Sequence, residues 1–191
     1  MKPLRDFVVY IPQKFKDEIS FNGGKLRLVN KFQEFEHRIN HAKIHAVPIG
    51  ISENHIGDTL YFHHHVVMEQ RYNLGENLYV VNYDKDGGYG NHAIAIHTES
   101  GIKMLGDWCF VLPPDEQESE SVSKSGIILS IDKKPDLEGK IVALPEGSEW
   151  LSAKAGDLVG YTKNSDYAME LTDETKVYRM RITELVYVKE E

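Results

Sequence analysis

The feature that most constrains the fold of this chain is an internal repeat that covers nearly all of its 191 residues. Short blocks of identical residues recur in the same order at offsets of 101, 97 and 99 positions, and Phe7 is answered by Trp108. The matched pairs are Lys2 and Lys103, Leu4 and Leu105, Asp6 and Asp107, Pro12 and Pro113, Lys43 and Lys140, Ile44 and Ile141, Ala46 and Ala143, Pro48 and Pro145, Gly50 and Gly147, Gly57 and Gly156, Asp58 and Asp157, and Tyr79 and Tyr178. Ordered blocks of this kind indicate a duplication. We therefore predict two domains, residues 1–100 and 101–191.

Within each copy the pattern is that of a small all-β domain. Apolar runs at residues 7–11 and 108–112 each end at a proline, which cannot donate a hydrogen bond to a sheet. The further predicted strands are residues 43–47, 59–62 and 78–81 in the first copy, and 140–144, 158–161 and 177–182 in the second. Few segments have helical periodicity. The sequence predicts an all-β chain of two tandem small β-barrels.

Charge and hydropathy exclude several classes of function. The formal net charge is −8, so the chain lacks the basic surface that binding to nucleic acid requires. The excess is uneven, since residues 1–101 carry 11 basic and 12 acidic side chains while residues 102–191 carry 11 and 18. No apolar run is long enough to cross a bilayer, and Lys2, Arg5 and Asp6 stand where a signal peptide is apolar. We expect a cytoplasmic protein that binds neither nucleic acid nor membranes.

The repeated blocks resemble the GroES family of co-chaperonins. The family opens with a basic residue, Pro, Leu and, two residues later, Asp, as Lys2, Pro3, Leu4 and Asp6 do here. It continues with a long loop that carries Gly and three aliphatic residues, then a strand ending in Ala, Val and Gly, then a Gly-Asp turn. The tandem layout is similar to that of the chloroplast co-chaperonin. The short turns before the Gly-Asp pairs are similar to a bacteriophage co-chaperonin.

The resemblance implies GroES-like barrels and the function of a co-chaperonin. Such a protein caps a chaperonin ring of the GroEL type in the presence of nucleotide and assists ATP-dependent protein folding. Small barrels with open edges are also stabilised by pairing with neighbouring copies, which predicts a ring-like homo-oligomer.

The resemblance places the chaperonin-binding residues in the second copy. Gly126, Ile127, Ile128 and Leu129 stand where the family has its Gly and aliphatic triplet. The preceding residues 114–125 are almost all polar or charged, a composition that does not fold by itself. The sequence therefore predicts a loop that presents adjacent aliphatic side chains on a polar tether.

The first copy departs from the family at the same loop. Gly23 and Gly24 are followed by Lys25, Leu26 and Arg27, so charged residues interrupt the aliphatic triplet. A charged side chain that enters an apolar groove pays a desolvation cost. We expect no chaperonin binding from the first copy.

Other interpretations stay open. Residues 127–131 could simply be the first strand of the second barrel, because an apolar run of this length fits a strand. The chain could also be a viral or bacterial structural or assembly protein that keeps duplicated barrels without binding a chaperonin. An enzyme is a third possibility, since a similar barrel occurs in zinc alcohol dehydrogenases. Those enzymes need a nucleotide-binding domain and a cysteine-rich metal site, and we expect no enzyme, no catalytic residue and no cofactor.

The histidines suggest a metal site, but their predicted placement argues against one. His63, His64 and His65 are consecutive, and neighbours on a strand point to opposite faces, so at most His63 and His65 could share an ion. His37, His41 and His45 have helical spacing, yet the repeat places His45 on a strand. We expect no metal.

Two remaining features are interpreted as structural. Gly87, Gly88 and Gly90 lack the following lysine and helix of a phosphate-binding loop, which favours a β-turn. The single cysteine, Cys109, has Trp108 and Phe110 as neighbours and cannot form an internal disulfide. We predict core packing for its side chain.

Overall fold

The chain folds as antiparallel β-sheets with little helix, which confirms the all-β prediction. The computed structural model describes residues 2–12, 18–21, 24–27, 38–88, 90–113, 120–122, 128–130 and 137–189, with the backbone alone for 18–21, 24–27, 120–122 and 128–130. One short α-helix occurs in these ranges, α1 (His65–Met68). None of the helices in the described ranges has the length and apolar character needed to cross a bilayer.

The first half of the chain forms one large sheet and one hairpin. The strands are β1 (Phe7–Tyr10), β2 (Glu18–Phe21), β3 (Gly24–Arg27), β4 (His41–Ala46), β5 (Thr59–Phe62), β6 (Asn73–Gly75), β7 (Leu78–Val81), β8 (Ala93–Thr98) and β9 (Gly101–Met104). Seven of them form a sheet in the order β6-β7-β1-β4-β5-β8-β9. The other two, β2 and β3, pair with each other.

The second half repeats this plan with fewer strands. The strands are β10 (Trp108–Leu112), β11 (Glu120–Val122), β12 (Ile128–Ser130), β13 (Glu138–Ala143), β14 (Leu158–Tyr161), β15 (Tyr167–Glu170), β16 (Lys176–Arg181) and β17 (Leu185–Val188). The main sheet has the order β15-β16-β10-β13-β14-β17, and β11 and β12 again form a separate hairpin. The predicted strands therefore lie where the repeat places them, and those predicted at 59–62, 78–81, 108–112 and 158–161 have the same bounds. The sequence did not predict the strands β6, β8, β9, β15 and β17.

Each half has its own hydrophobic core, to which the strands of its main sheet contribute. The strands are rich in β-branched and aromatic residues, whose side chains suit a pleated and half-buried surface. The core of the first half includes Phe7, Val9, Ile11, Ile44, Val47, Leu60, Phe62, Val66, Val67, Tyr72, Tyr79, Val81, Ala93, Ile96 and Leu105. That of the second half includes Cys109, Val111, Ile141, Val159, Tyr161 and Met180. The prediction of core packing for Cys109 is confirmed.

The strand register corrects one of the repeat's residue matches. Val9 pairs with Ile44 and Tyr79, and Val111 pairs with Ile141 and Tyr178, so Val9 and Val111 occupy equivalent positions. Two residues earlier, on the same face of each strand, Phe7 therefore corresponds to Cys109. The match of Phe7 with Trp108 is wrong by one position. Such a slip matters because it moves a side chain to the other face of the sheet.

The boundary between the two compact units lies between Asp107 and Trp108, seven residues later in the chain than the predicted boundary between residues 100 and 101. The first unit is Met1–Asp107 and the second is Trp108–Glu191. Residues 101–104, which the repeat assigns to the second copy, form β9 and pair with β8. The opening residues of the second repeat therefore complete the sheet of the first unit.

The main sheets are open rather than closed into barrels. A closed barrel has no edge strands, whereas β6 and β9 end the first sheet and β15 and β17 end the second, without pairing with each other in the described residues. The edge strand β6 has three residues and an irregular register against β7. The prediction of closed barrels is thus not met by the described strands.

Candidate functional site

Two of the four predicted chaperonin-binding residues fall on the hairpin of the second unit. Ile128 and Leu129 lie in β12, where they stand opposite Val122 and Ser121 of β11. Gly126 and Ile127 lie outside the described residues, as do residues 114–119 and 123–125 of the preceding polar segment. The structure thus gives this part of the segment a local antiparallel pairing.

This hairpin is separate from the main sheet of its unit. Among the described strands β12 pairs with β11 alone, and neither belongs to the six-stranded sheet. The first strand of that sheet along the chain is β10. For Ile128–Ser130, the alternative of a first strand of the second barrel is therefore wrong.

The first unit has an equivalent hairpin with a different sequence. The strands β2 and β3 also lie between the first and second long strands of their unit, and Leu26 of β3 stands opposite Ile19. Lys25 and Arg27 flank Leu26 along β3. The two copies therefore share the hairpin, but only the second copy carries consecutive aliphatic residues on its returning strand.

At one edge of the first sheet, β9 pairs with the outer side of β8. The sequence did not predict this strand. Strand β9 adds to the outer edge of β8, and the Leu105 N–H continues the ladder by donating to the Ile94 carbonyl at 2.8 Å. The Leu105 side chain is 3% exposed and packs in the core of the first unit. Leu4, its match in the first repeat, is 74% exposed.

The corresponding edge of the second sheet has no strand of the described chain on it. Strand β17 pairs with β14 as β8 pairs with β5, and the register shifts immediately before the last pair in each case, at Phe62 of β5 and at Tyr161 of β14. Beyond β8 lies β9, whereas β17 ends its sheet in the described residues. Among its described residues, the second unit shows no counterpart of β9 and of Leu105.

The glycine-rich segment forms a turn with acidic surroundings. The Gly87 N–H donates to the Asp84 carbonyl at 3.2 Å, and the Asp86 N–H donates to the Asp84 carboxylate at 3.0 Å. Burial raises the pKa of the neighbouring Tyr83, and the charges of Asp84 and Asp86 raise it further. A β-turn is confirmed for Asp84–Gly87, and its carboxylates oppose the binding of a phosphate.

The histidine triplet departs from its predicted geometry. Strand β5 ends at Phe62, and His64 already has helical angles, with φ −56° and ψ −23°. As a result one ligand atom from each of His63, His64 and His65 lies within 4.8 Å of the others. The expectation that at most two of the three could share an ion is therefore wrong. The expectation for His45 is confirmed, because it lies on strand β4 with His41, and His37 is outside the described residues.

No family model matches this chain, and no curated protein matches it.

Proposed function

We propose that this chain is a co-chaperonin of the GroES type, which caps a chaperonin ring through the hairpin of its second unit and performs no chemistry. The observation that carries the proposal is the position of Ile128 and Leu129 on a hairpin that is separate from the main sheet. A binding segment of this kind is able to reorganise on a partner without disturbing the core of its own unit.

The energetics of one hairpin suit a reversible contact. Burying one aliphatic side chain in a partner's groove contributes about 1.5–3 kcal/mol. Fixing one backbone residue costs about 1–2 kcal/mol, so a single segment binds weakly. Several identical segments held in one oligomer convert later contacts into intramolecular ones, and avidity then rises by about 10²–10⁴. Weak single contacts that add up only in an assembly favour a lid that binds and leaves repeatedly.

The two sheet edges support an assembly built from copies of this chain. Residues 2–4 match residues 103–105, and the latter run along β8 and bury Leu105 in the first core. We infer that residues 2–4 of one chain add in the same way to β17 of a neighbouring chain, so that Leu4 enters the core of its second unit. In this assembly the exposed Leu4 of one chain and the open edge of β17 in its neighbour form one interface.

The hydrogen-bond pattern is compatible with a proline in that added strand. In an antiparallel ladder hydrogen-bonded pairs alternate with pairs that are not hydrogen-bonded. Leu105 bonds to Ile94, so the intervening pair Met104 and Ala95 does not exchange hydrogen bonds. Pro3 is the match of Met104, and at this position its missing N–H costs nothing. The proline is therefore no obstacle to the proposed pairing.

The proposed contact is head to tail, since it joins two different surfaces of the chain. A heterologous contact of this kind makes a closed ring when its rotation closes, and an open filament otherwise. A ring of chains places several β11–β12 hairpins around one axis. That arrangement supplies the avidity which the single hairpin lacks.

The experiment that tests the proposed function is capture of the chain by a GroEL-type chaperonin with ATP or ADP. We expect Ile128→Asp to abolish capture, because a carboxylate in the partner's apolar groove is desolvated without a counter-charge. The matched control is Leu26→Asp in the first hairpin, which should leave capture unchanged because Lys25 and Arg27 already flank that position.

Circular dichroism should show that both variants fold. Equal loss of capture from both changes would mean that both hairpins bind the chaperonin. Capture that survives Ile128→Asp in a folded protein would sink the proposed mechanism. Absence of capture for the unaltered chain would favour a structural or assembly protein with duplicated sheets.

A further inference from the structure

The histidine cluster is created by an abrupt change of backbone conformation. The His63 N–H still donates to the His92 carbonyl at 3.0 Å, continuing the pairing between β5 and β8. The next residue, His64, is helical, and His65 begins α1. Successive side chains of a helix turn by about 100°, whereas those of a strand alternate by about 180°. This change turns three consecutive rings toward one another.

The three imidazole rings are in mutual contact. The ring centroids of His63 and His64 are 4.8 Å apart, those of His63 and His65 are 4.3 Å apart, and those of His64 and His65 are 4.4 Å apart. His64 is 5% exposed, His63 is half-buried and His65 is exposed. The cluster thus has one ring held by the protein interior and one ring at the surface.

The short helix that carries the cluster is fixed to the core. Val66 and Val67, which follow the triplet, are 0% and 3% exposed and belong to the core of the first unit. Their N–H groups donate to the carbonyls of His63 and His64 at 3.1 Å each. The backbone of the triplet is therefore held at both ends, by β8 on one side and by the core on the other.

We propose that His63, His64 and His65 form a binding site for one divalent transition-metal ion of the zinc type. Imidazole nitrogens suit Zn²⁺, Ni²⁺, Co²⁺ and Cu²⁺, whereas Ca²⁺ and Mg²⁺ require oxygen ligands, which the cluster does not supply. Three histidines leave the fourth position of a tetrahedral ion to water. The site is independent of the proposed chaperonin contact, because it lies in the first unit.

The geometry needs a modest contraction around an ion. Zn–N bonds of about 2.0–2.1 Å place tetrahedral ligand atoms about 3.4 Å apart, and the atoms here lie within 4.8 Å of one another. Rotation of the exposed His65 ring and the half-buried His63 ring achieves this, while the buried His64 ring stays in place. The Nδ1 atom of His63 accepts the His65 N–H at 3.3 Å. A neutral imidazole offers one lone pair, so His63 gives up this long, exposed hydrogen bond whichever ring nitrogen binds the ion.

Isothermal titration of the full chain, prepared without an affinity tag, with ZnCl₂ tests the site. We expect one Zn²⁺ per chain and a melting temperature that rises with zinc concentration, because an ion that binds the folded state stabilises it. His65→Ala should weaken binding at least about tenfold, since loss of even a ligand's outer partner costs about 10–100-fold. The exposed His65 makes this variant safe for the fold, which circular dichroism verifies.

The matched control is His45→Ala, which removes an exposed histidine of β4 outside the cluster. It should leave the zinc affinity unchanged. With Co²⁺ in place of Zn²⁺, the unaltered chain should give the visible absorption of a tetrahedral ion, and His65→Ala should lose it. No zinc binding by the unaltered chain, or equal weakening by both substitutions, would overturn the proposal.

Discussion

The Tyr187 hydroxyl of β17 donates a 2.7 Å hydrogen bond to the Glu138 carboxylate of β13, across the intervening strand β14. Gly160 of β14 pairs with Glu138 on one side and with Tyr187 on the other. Because Gly160 has no side chain, the tyrosine ring can lie over its backbone and reach the carboxylate. Lys189 adds an ion pair to the same carboxylate at 3.0 Å. These contacts stabilise the position of the edge strand β17 in its sheet.

Gly160→Ala should destabilise the second unit. The added methyl group would occupy the space of the Tyr187 ring, and such overpacking costs about 1–3 kcal/mol in the free energy of unfolding. Both tryptophans, Trp108 and Trp150, lie in the second unit, so their fluorescence during urea unfolding reports on it selectively.

Tyr187→Phe is the matched control for that measurement. It keeps the ring over Gly160 and removes only the hydrogen bond to Glu138. The bond is exposed, so we expect a smaller loss of stability than that of Gly160→Ala. A Gly160→Ala variant as stable as the unaltered chain would show that the ring moves aside without cost.

Acid should weaken the attachment of β17 through the same carboxylate. Hydrogen bonds from Tyr187 and then Lys189 hold the pKa of Glu138 below its usual value. A carboxyl whose folded pKa is lowered contributes stability above its unfolded pKa, and this contribution is lost as the pH falls through the folded pKa. We therefore expect Glu138→Gln to destabilise the second unit at neutral pH.

The difference in unfolding free energy between Glu138→Gln and the unaltered chain should shrink at an acid pH below the lowered folded-state pKa of Glu138, where the carboxyl group is protonated in both states. Urea unfolding by tryptophan fluorescence at both pH values measures this difference. A difference that is independent of pH would show that the carboxylate charge is not involved.

The repeat predicts the strands well because both copies must alternate buried and exposed residues on equivalent strands. It fails by one residue at Phe7 because identity favours the pairing of two aromatic residues, Phe7 and Trp108, whereas the register places small Cys109 in the core. The repeat predicts a loop at the position of each separate hairpin, but not the pairing of the strands within it. It does not predict the sheet edges either, because no sequence match shows that residues 101–104 pair with β8. The histidine cluster was missed because the end of β5 at Phe62 carries no glycine or proline signal.

The contacts of Arg179 predict that a lysine at this position destabilises the second unit, although it keeps the positive charge. Its guanidinium lies 4.1 Å from the ring centroid of Tyr167 and 4.8 Å from that of Trp108, and the residue is 8% exposed. Burial lowers the pKa of Arg179 to about 10. We expect Arg179→Lys to destabilise the second unit by about 1–2 kcal/mol, because an ammonium group loses the planar stacking and is more strongly hydrated.

Arg71→Lys is the comparison for this change. Arg71 also lies over an aromatic ring, that of Tyr72 at 4.7 Å, but its side chain is 67% exposed. Exposed stacking of this kind is worth about 0.5–1 kcal/mol at most. Urea unfolding followed by circular dichroism should rank the two variants, and equal losses would show that burial does not strengthen the Arg179 stack.

The proposed contact between residues 2–4 and β17 predicts which substitutions prevent assembly. Leu4→Asp should convert the oligomer into monomers, because a carboxylate would replace the leucine that fills the second core of the neighbour. Leu4 is 74% exposed within its own chain, so the fold should survive. Sedimentation velocity measures the oligomeric state, and circular dichroism reports the fold.

Two further variants locate the contact on both partners. Ile49→Asp changes another exposed aliphatic residue, at 63% exposure, and should leave the oligomer intact. On the accepting strand, the Lys189 N–H donates to the Leu158 carbonyl, so by alternation the N–H of Val188 points away from β14. Val188→Pro removes that donor without breaking the ladder to β14, and it should dissociate the oligomer as Leu4→Asp does. Intact oligomers of both Leu4→Asp and Val188→Pro, or a monomeric unaltered chain, would show that the edge of β17 does not receive the neighbour's opening strand.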